Sequence, residues 1–223
     1  AINDFPLIPK YAVLDPKITL GLPPMISATT GMDALTHAVE AFIGNSTMAG
    51  TRRDALRATK LIFENIFEVC KNGGNIAARK NMLEASFYAG CAFTKSYVGY
   101  VHAVAHSLGG KYNIPHGLAN AVLLPIVLKA YGNAIHKKLK TLAIAAGVAD
   151  EEDVPANAAQ KFIVAIEKMQ RALGVPAKLA GIVPADIPAL AKIAEREANP
   201  LYPVPVLMTA RELEQFYRAV MEN

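Results

Sequence analysis

One stretch constrains this chain more than any other: residues 97–117, with the sequence YVGYVHAVAHSLGGKYNIPHG. It holds three of the five histidines, His102, His106 and His116, among small and apolar residues. His102 and His106 are four positions apart, so a helix places them one turn apart on the same face. Pro115 can begin a second helix just before His116. The pattern predicts several imidazoles on apolar helices.

A second pattern of the same kind lies upstream, in the sequence GMDALTHAVE. Asp33 and His37 are also four positions apart and would share one helical face. Both could bind one ion, as could His102 with either His106 or His116. A buried aspartate opposite histidines is costly unless it is paired or bound to a metal. The residues therefore predict a buried site for a divalent metal and leave its ligand set open.

Other catalytic signatures are absent from the sequence. It contains no HExxH zinc-protease motif, no His-Asp dipeptide of the phosphohydrolase kind and no GxSxG nucleophile elbow. The remaining histidine, His136, precedes two lysines in a polar stretch and is predicted to be solvated.

The composition is that of a globular protein with a substantial core. Of 223 residues, 52% are hydrophobic and 19% charged, and the basic and acidic residues are interspersed, so no nucleic-acid partner is expected. The longest apolar run, residues 118–128, contains Asn120 and Pro125 and is too short to span a bilayer, so no membrane association is expected. Cys70 and Cys91 lie in helical patterns, which is typical of reduced thiols in a cytoplasmic protein.

Helical periodicity dominates the chain after the Pro23-Pro24 break and predicts an all-α bundle of about nine helices. One of them, the histidine helix, is expected to end at Gly109-Gly110. The others are predicted at residues 27–43, 50–70, 77–93, 116–131, 133–146, 151–173, 186–197 and 209–221. Ser27 or Thr29 is the expected cap of the first, and Thr209 with Glu212 forms a capping box for the last.

Residues 9–15, PKYAVLD, are the one segment that resembles a strand, closed by a turn at Asp15-Pro16. A lone strand is not stable without neighbours, so the pattern indicates a strand remnant of a sheet that lies outside these residues.

The two histidine-containing segments carry a resemblance to a known family. The sequences GMDALTHAVEAF and VHAVAHSLGGKYNIPHGLANA resemble the two signatures of the iron-dependent (group III) alcohol dehydrogenases, and the resemblance extends through AVLLP at residues 121–125. It implies a dehydroquinate synthase-like helical domain that binds Fe²⁺, with Zn²⁺ or another divalent metal as alternatives. The ligands implied are Asp33, His37, His102 and His116. The resemblance makes His106 a catalytic residue beside the substrate and the nicotinamide cofactor, and not a ligand.

The resemblance also implies an activity and a domain organisation. Family members interconvert a primary alcohol and an aldehyde with NAD or NADP, and they begin with an α/β domain that carries a Gly-Gly-Gly-Ser phosphate loop. No such loop occurs here. We therefore expect residues 1–24 to be a remnant of that N-terminal domain and its linker, and residues 25–223 to be the helical metal-binding domain. The isolated fragment is expected to be inactive, and the full-length enzyme to be a homo-oligomer.

Two alternatives remain open from the sequence. The chain could act alone as a helical metal-binding module, or it could belong to an enzyme of the glycerol dehydrogenase or dehydroquinate synthase type. Many alcohol dehydrogenases of this family carry Asn-Pro-Arg near the C-terminal helix, whereas Leu201 follows Asn199-Pro200 here. This departure concerns the substrate and not the metal site.

Overall fold

The computed structural model describes residues 7–222, and within them the fold is all-α. Nine α-helices account for most of the chain, and short 3-10 turns occur at Pro16–Thr19, Gly132–Ile135 and Pro184–Asp186. The predicted bundle of about nine helices is therefore confirmed. The helices are α1 (Pro24–Ile43), α2 (Ala49–Lys71), α3 (Ile76–Ser96), α4 (Tyr100–Tyr112), α5 (His116–Tyr131), α6 (His136–Ala145), α7 (Pro155–Ala172), α8 (Ile187–Ala198) and α9 (Ala210–Val220).

The predicted strand at residues 9–15 is wrong: these residues adopt no regular secondary structure. Tyr11 and Val13 are 89% and 90% exposed. A strand needs a neighbour for its backbone hydrogen bonds, and no strand forms anywhere in residues 7–222.

Helix α4 does not end at Gly109-Gly110 as predicted. It continues to Tyr112, and Asn113 closes it in the left-handed conformation, with a φ of 55°. Asparagine tolerates this conformation, so it can take the capping place usually held by glycine. The glycine pair lies within the helix.

The starts of three other helices also differ from prediction. Helix α1 begins at Pro24, so neither Ser27 nor Thr29 caps it, and α7 begins at Pro155, after the acidic residues at 151–153. In both cases the proline takes the first helical position, where its missing N–H costs nothing. Helix α6 begins at His136, after a 3-10 turn. The predicted capping box of Thr209 and Glu212 at α9 is confirmed.

Helix α1 lies at the centre of the domain and packs against α2, α3, α5 and α6. It is buried along most of its length, as expected of a helix that is apolar on all sides. The N-terminus of α5 approaches α1 closely at Gly117, where a Cβ atom would lie 2.7 Å from the carbonyl oxygen of Thr29. Only glycine fits there, and this close approach brings the first turn of α5 alongside the part of α1 that carries Asp33. Helix α4 packs on α5 and α8.

The segment His116–Ala145 is long and apolar enough to cross a membrane by length and composition alone, and 61% of its apolar 18-residue window is buried. It is longer than the run at residues 118–128 that the sequence singled out. Within the fold it comprises α5, a 3-10 turn and α6, and it supplies core residues such as Leu123, Leu124 and Leu142. Packing in the core accounts for its hydropathy, as in many soluble proteins.

Candidate metal centre

Three helices bring the four predicted ligands together. Asp33 and His37 lie one turn apart on α1, His102 lies in the first turn of α4, and His116 is the first residue of α5. Each offers one ligand atom, and the four atoms lie within 4.8 Å of one another. The site therefore offers three imidazole nitrogens and one carboxylate oxygen.

The carboxylate oxygen Oδ1 of Asp33 lies among the three imidazoles. It is 3.5 Å from Nε2 of His116, 3.6 Å from Nε2 of His102 and 4.0 Å from Nδ1 of His37. These separations are long for hydrogen bonds. Two ligands of a tetrahedral ion, each about 2.1 Å from it, lie about 3.4 Å apart. The spacing therefore suits donors that share one ion better than donors that bond to each other.

His102 provides a test of whether a metal fits. Its side chain is only 2% exposed, yet its Nε2 atom has no hydrogen-bond partner among the described residues. A buried polar atom without a partner is rare because it loses the hydrogen bonds that water would give it. A divalent ion between His102 and Asp33 would satisfy this nitrogen, so the residues present fit a divalent metal ion.

Glu40 supports His102 from behind. Its Oε2 atom accepts a hydrogen bond of 2.7 Å from Nδ1 of His102 and one of 2.9 Å from the backbone N–H of Gly99, and its Oε1 atom accepts one of 2.8 Å from Val101. The carboxylate thus lies at the N-terminus of α4, where the helix dipole favours negative charge. Because Nδ1 is held by Glu40, Nε2 is the nitrogen directed at the site, as in many metal centres.

Gly99 makes this contact possible. A Cβ atom at this position would lie 2.7 Å from Oε1 of Glu40. The absent side chain lets the carboxylate reach the backbone of α4, which in turn orients His102.

Asn120 lies one helical turn after His116 and is completely buried. Its Nδ2 atom donates to Oδ1 of Asp33 at 2.6 Å and to Nε2 of His116 at 3.0 Å. The amide thereby holds the α1 carboxylate close to the α5 imidazole.

Sequence reasoning assigned no role to Glu40 or Asn120, although both had a signal. Glu40 is seven positions after Asp33, on the same face of α1, and Asn120 interrupts an apolar run four positions after His116.

Burial and charge shift the pKa values of the four residues in different directions. Burial raises the pKa of Asp33, but the neighbouring imidazoles outweigh it and hold the pKa at about 2. Burial lowers the pKa of His37 to about 3 and also lowers that of His116. Burial opposes protonation of His102 too, yet the nearby Asp33 carboxylate and the hydrogen bond and charge of Glu40 raise its pKa to about 9. At neutral pH the site therefore combines an ionised carboxylate with two neutral imidazoles and one protonated one.

His106 lies beside this group and not in it. Its ring stacks on that of His116, with centroids 5.1 Å apart and an interplanar angle of 18°. Its Nδ1 atom is 2.6 Å from Oε1 of Glu197 on α8, and 41% of its side chain is exposed. Spacing alone left open which histidine of α4 joins Asp33, and the fold brings His102 to it. His136 lies at the start of α6, away from the group.

Comparison with known proteins identifies the family. The model of the Fe-containing alcohol dehydrogenase family, C-terminal, matches residues 27–221. The 1,3-propanediol dehydrogenase of Klebsiella pneumoniae is 41% identical over 194 residues, which cover 86% of this chain and 50% of that protein. The NAD-dependent methanol dehydrogenase of Bacillus methanolicus is 35% identical over 195 residues, or 86% of this chain and 51% of that protein.

A solved structure agrees with the sequence matches. The crystal structure of a 1,3-propanediol oxidoreductase matches with a TM-score of 0.88 and 38% identity, over 93% of this chain and 55% of that one. The chain thus spans about half the length of the relatives it matches. The family inferred from the two histidine segments is confirmed: the chain belongs to the Fe-containing alcohol dehydrogenase family and corresponds to its C-terminal part.

Proposed function

We propose that this chain is the metal-binding half of an NAD(P)-dependent alcohol dehydrogenase, with Asp33, His37, His102 and His116 as ligands of one divalent ion. The observation that carries the proposal is the convergence of four ligand atoms within 4.8 Å, from three helices, around the unpartnered Nε2 of buried His102. In this proposal residues 25–223 form the metal-binding domain, and residues 1–24 belong to the linker and the cofactor domain.

The nature of the metal follows from the family more than from the donors. Three nitrogens and one oxygen suit zinc at least as well as iron. Iron is proposed because the family whose model matches is described as Fe-containing.

The reaction proposed is hydride transfer between a primary alcohol and the nicotinamide of NAD or NADP, as the names of the relatives suggest. A bound divalent ion supplies Lewis-acid chemistry that favours negative charge on the substrate oxygen. The chain's own residues orient this chemistry: Glu40 fixes the ring of His102, and Asn120 holds Asp33 beside His116.

His106 is proposed as the proton relay beside the nicotinamide. It borders the ligand group through its stack on His116, and its partial exposure connects it to solvent. An imidazole nitrogen with a free lone pair is a general base, so Nε2 of His106 can accept the alcohol proton and pass it to water.

The proposal extends to the cellular setting and the assembly of the enzyme. Cys70 and Cys91 are both free thiols, as expected in the cytoplasm. The enzyme is proposed to assemble as a homo-oligomer. The substrate proposed is a small alcohol, and Leu201, which departs from the family pattern, is 56% exposed.

Metal content of single variants tests the proposal. After loading with Fe²⁺ or Co²⁺ and gel filtration, mass spectrometry of the metal should find about one ion per chain in the parent. His37→Ala and His116→Ala should each lose most of it, because each removes one of four ligands.

Two histidine variants serve as matched controls for this measurement. His106→Ala and His136→Ala should keep the metal, since neither histidine belongs to the group of four. Unchanged stoichiometry in both His37→Ala and His116→Ala would overturn the ligand assignment.

A further inference from the structure

A second histidine–carboxylate pair lies at the rim of the metal centre, and metal binding does not explain it. Nδ1 of His106, on α4, is 2.6 Å from Oε1 of Glu197, on α8. The same oxygen accepts a hydrogen bond of 2.8 Å from the hydroxyl of Tyr202. Tyr202 is 8% exposed, so this hydroxyl holds the carboxylate from the buried side.

The two hydrogen bonds determine which atoms carry protons. Burial raises the pKa of Glu197, but the bonds from His106 and Tyr202 outweigh it, and the pKa lies below its ordinary value. An ionised carboxylate can only accept hydrogen bonds. Nδ1 of His106 must therefore carry a proton, and in the neutral ring Nε2 then carries the free lone pair.

The position of the ring agrees with this assignment. Among the described residues His106 makes no other side-chain hydrogen bond, so its orientation depends on Glu197 and on the stack with His116. In water a neutral imidazole can carry its proton on either nitrogen, and the bond made by one nitrogen decides the state of the other.

Resting on the proposed function, we propose that Glu197 is a positioning residue that holds His106 as the Nδ1–H tautomer, so that Nε2 exchanges the alcohol proton. In the step the O–H bond of the alcohol breaks and its proton forms a bond to Nε2. A C–H bond on the carbon that bears this oxygen breaks as its hydrogen leaves as hydride to the oxidised nicotinamide, and the C–O bond becomes the C=O of the aldehyde. The carboxylate of Glu197 offsets the charge of the resulting imidazolium. Water then takes the Nε2 proton, and the Nδ1–H bond is kept throughout.

A merely structural role for Glu197 would be to join α8 to α4, with no effect on where the His106 proton resides. Nitrogen-15 NMR distinguishes the two roles because protonated and unprotonated imidazole nitrogens resonate far apart. The chain would be labelled with ¹⁵N-histidine and measured at about pH 8, where an ordinary imidazole is neutral. A His106→Gln sample identifies the His106 resonances by their loss.

The expected result is an Nδ1–H tautomer for His106 in the parent chain. In Glu197→Leu, which removes both acceptor oxygens, the two nitrogens should lose this difference and move toward the averaged or reversed pattern of a ring without a fixed acceptor. Tyr202→Phe is the matched control: it removes the other hydrogen bond to the same oxygen but keeps the carboxylate, so the Nδ1–H tautomer should persist.

Two outcomes would overturn the proposal: an Nε2–H tautomer in the parent, or an Nδ1–H tautomer that is unchanged in Glu197→Leu. The parent spectrum alone decides the first, so the test survives even if the variant folds poorly. Zinc stoichiometry measured on the same samples keeps the two hypotheses apart. Failure to bind zinc would count against the proposed function, whereas the tautomer can be measured with or without metal.

Discussion

Helix α4 carries two histidine–carboxylate pairs that are nearly identical in geometry and opposite in environment. His102 is bonded through Nδ1 to Glu40 at 2.7 Å, and His106 is bonded through Nδ1 to Glu197 at 2.6 Å. Both side chains of the first pair are 2% exposed, whereas those of the second are 41% and 30% exposed. The two pairs therefore differ in solvent access and not in the bond itself.

Burial requires every polar atom of the His102–Glu40 pair, here called the inner pair, to have a partner. Charges taken out of water are costly unless their remaining hydrogen-bonding positions are filled. Glu40 meets this requirement with the backbone N–H groups of Gly99 and Val101, and the remaining nitrogen of His102 faces Asp33. Such an arrangement leaves His102 no freedom to turn, which suits a metal ligand.

The His106–Glu197 pair, here called the outer pair, has fewer hydrogen-bond partners and more contact with water. Glu197 has one further donor, Tyr202, and the ring of His106 stays in contact with solvent. A relay must gain and lose protons, so access to water is useful at this position. In the proposed function, the same side-chain bond thus gives a fixed ligand where it is buried and a proton-exchanging group where it is half-exposed.

Of the variants that disrupt one of the two pairs, Glu40→Gln is expected to have the largest effect on stability and metal affinity. The variant removes the charge opposite His102 and leaves one amide N–H facing a backbone donor. Breaking a buried pair costs about 3–5 kcal/mol, and loss of a residue that supports a metal ligand lowers metal affinity by about 10–100-fold. Urea unfolding and metal titration measure the two quantities.

The matched control for Glu40→Gln is Glu64→Gln on α2. Glu64 pairs with Lys60 at the surface, where both side chains are about half exposed or more, at 49% and 62%. This change should cost about 1 kcal/mol or less. Equal losses in the two variants would show that the buried pair contributes nothing special.

The next effect concerns pH. The pKa of His102 is raised to about 9, so after metal removal Nε2 holds a proton at neutral pH that a metal must displace. One released proton makes the apparent affinity for Co²⁺ rise about tenfold per pH unit between about pH 6 and 8. The free energy of unfolding of the metal-free chain changes with pH in the opposite direction, because the proton on His102 stabilises the fold through Asp33 and Glu40. This stabilisation is complete below about pH 6.5 and disappears as the pH rises through about 9.

Calorimetric titration with Co²⁺ in buffers of different ionisation enthalpy counts the released protons directly. About one proton per ion is expected near pH 7, since His37 has a pKa of about 3 and is already neutral there. An affinity that does not change with pH would mean that His102 is neutral before the metal binds.

The sequence predicted the helices well because apolar periodicity reports which face of a helix is buried. The prediction failed at a helix end and at a strand, where neighbouring residues decide which structure forms. Gly109-Gly110 looked like a helix end, but the left-handed cap is Asn113, and the strand predicted at residues 9–15 has no partner among the described residues. Ends and pairings depend on neighbours that a local pattern does not contain.

In the candidate site, too, local spacing predicted some neighbours, whereas others depend on how the helices pack. Spacing on α1 was enough to pair Asp33 with His37, whereas the choice between His102 and His106 depends on how α4 is turned relative to α1 and α8. The position of Glu40 on the Asp33 face of α1 can be read from the sequence, but its partners Gly99 and His102, about sixty positions away, cannot.

The smallest effect is expected from Glu197→Gln on stability. The outer pair is screened by water, so its loss should lower the free energy of unfolding by about 1 kcal/mol or less, and added salt should reduce the difference further. Urea unfolding at low and high salt measures this, and metal content should stay at the parent value because Glu197 touches none of the four proposed ligands. Tyr202→Phe removes a hydroxyl from the better-buried side of the same carboxylate and should cost at least as much. A loss in Glu197→Gln as large as that in Glu40→Gln would mean that the outer pair is a structural bond between α4 and α8. Burial would then no longer separate the roles of the two histidines.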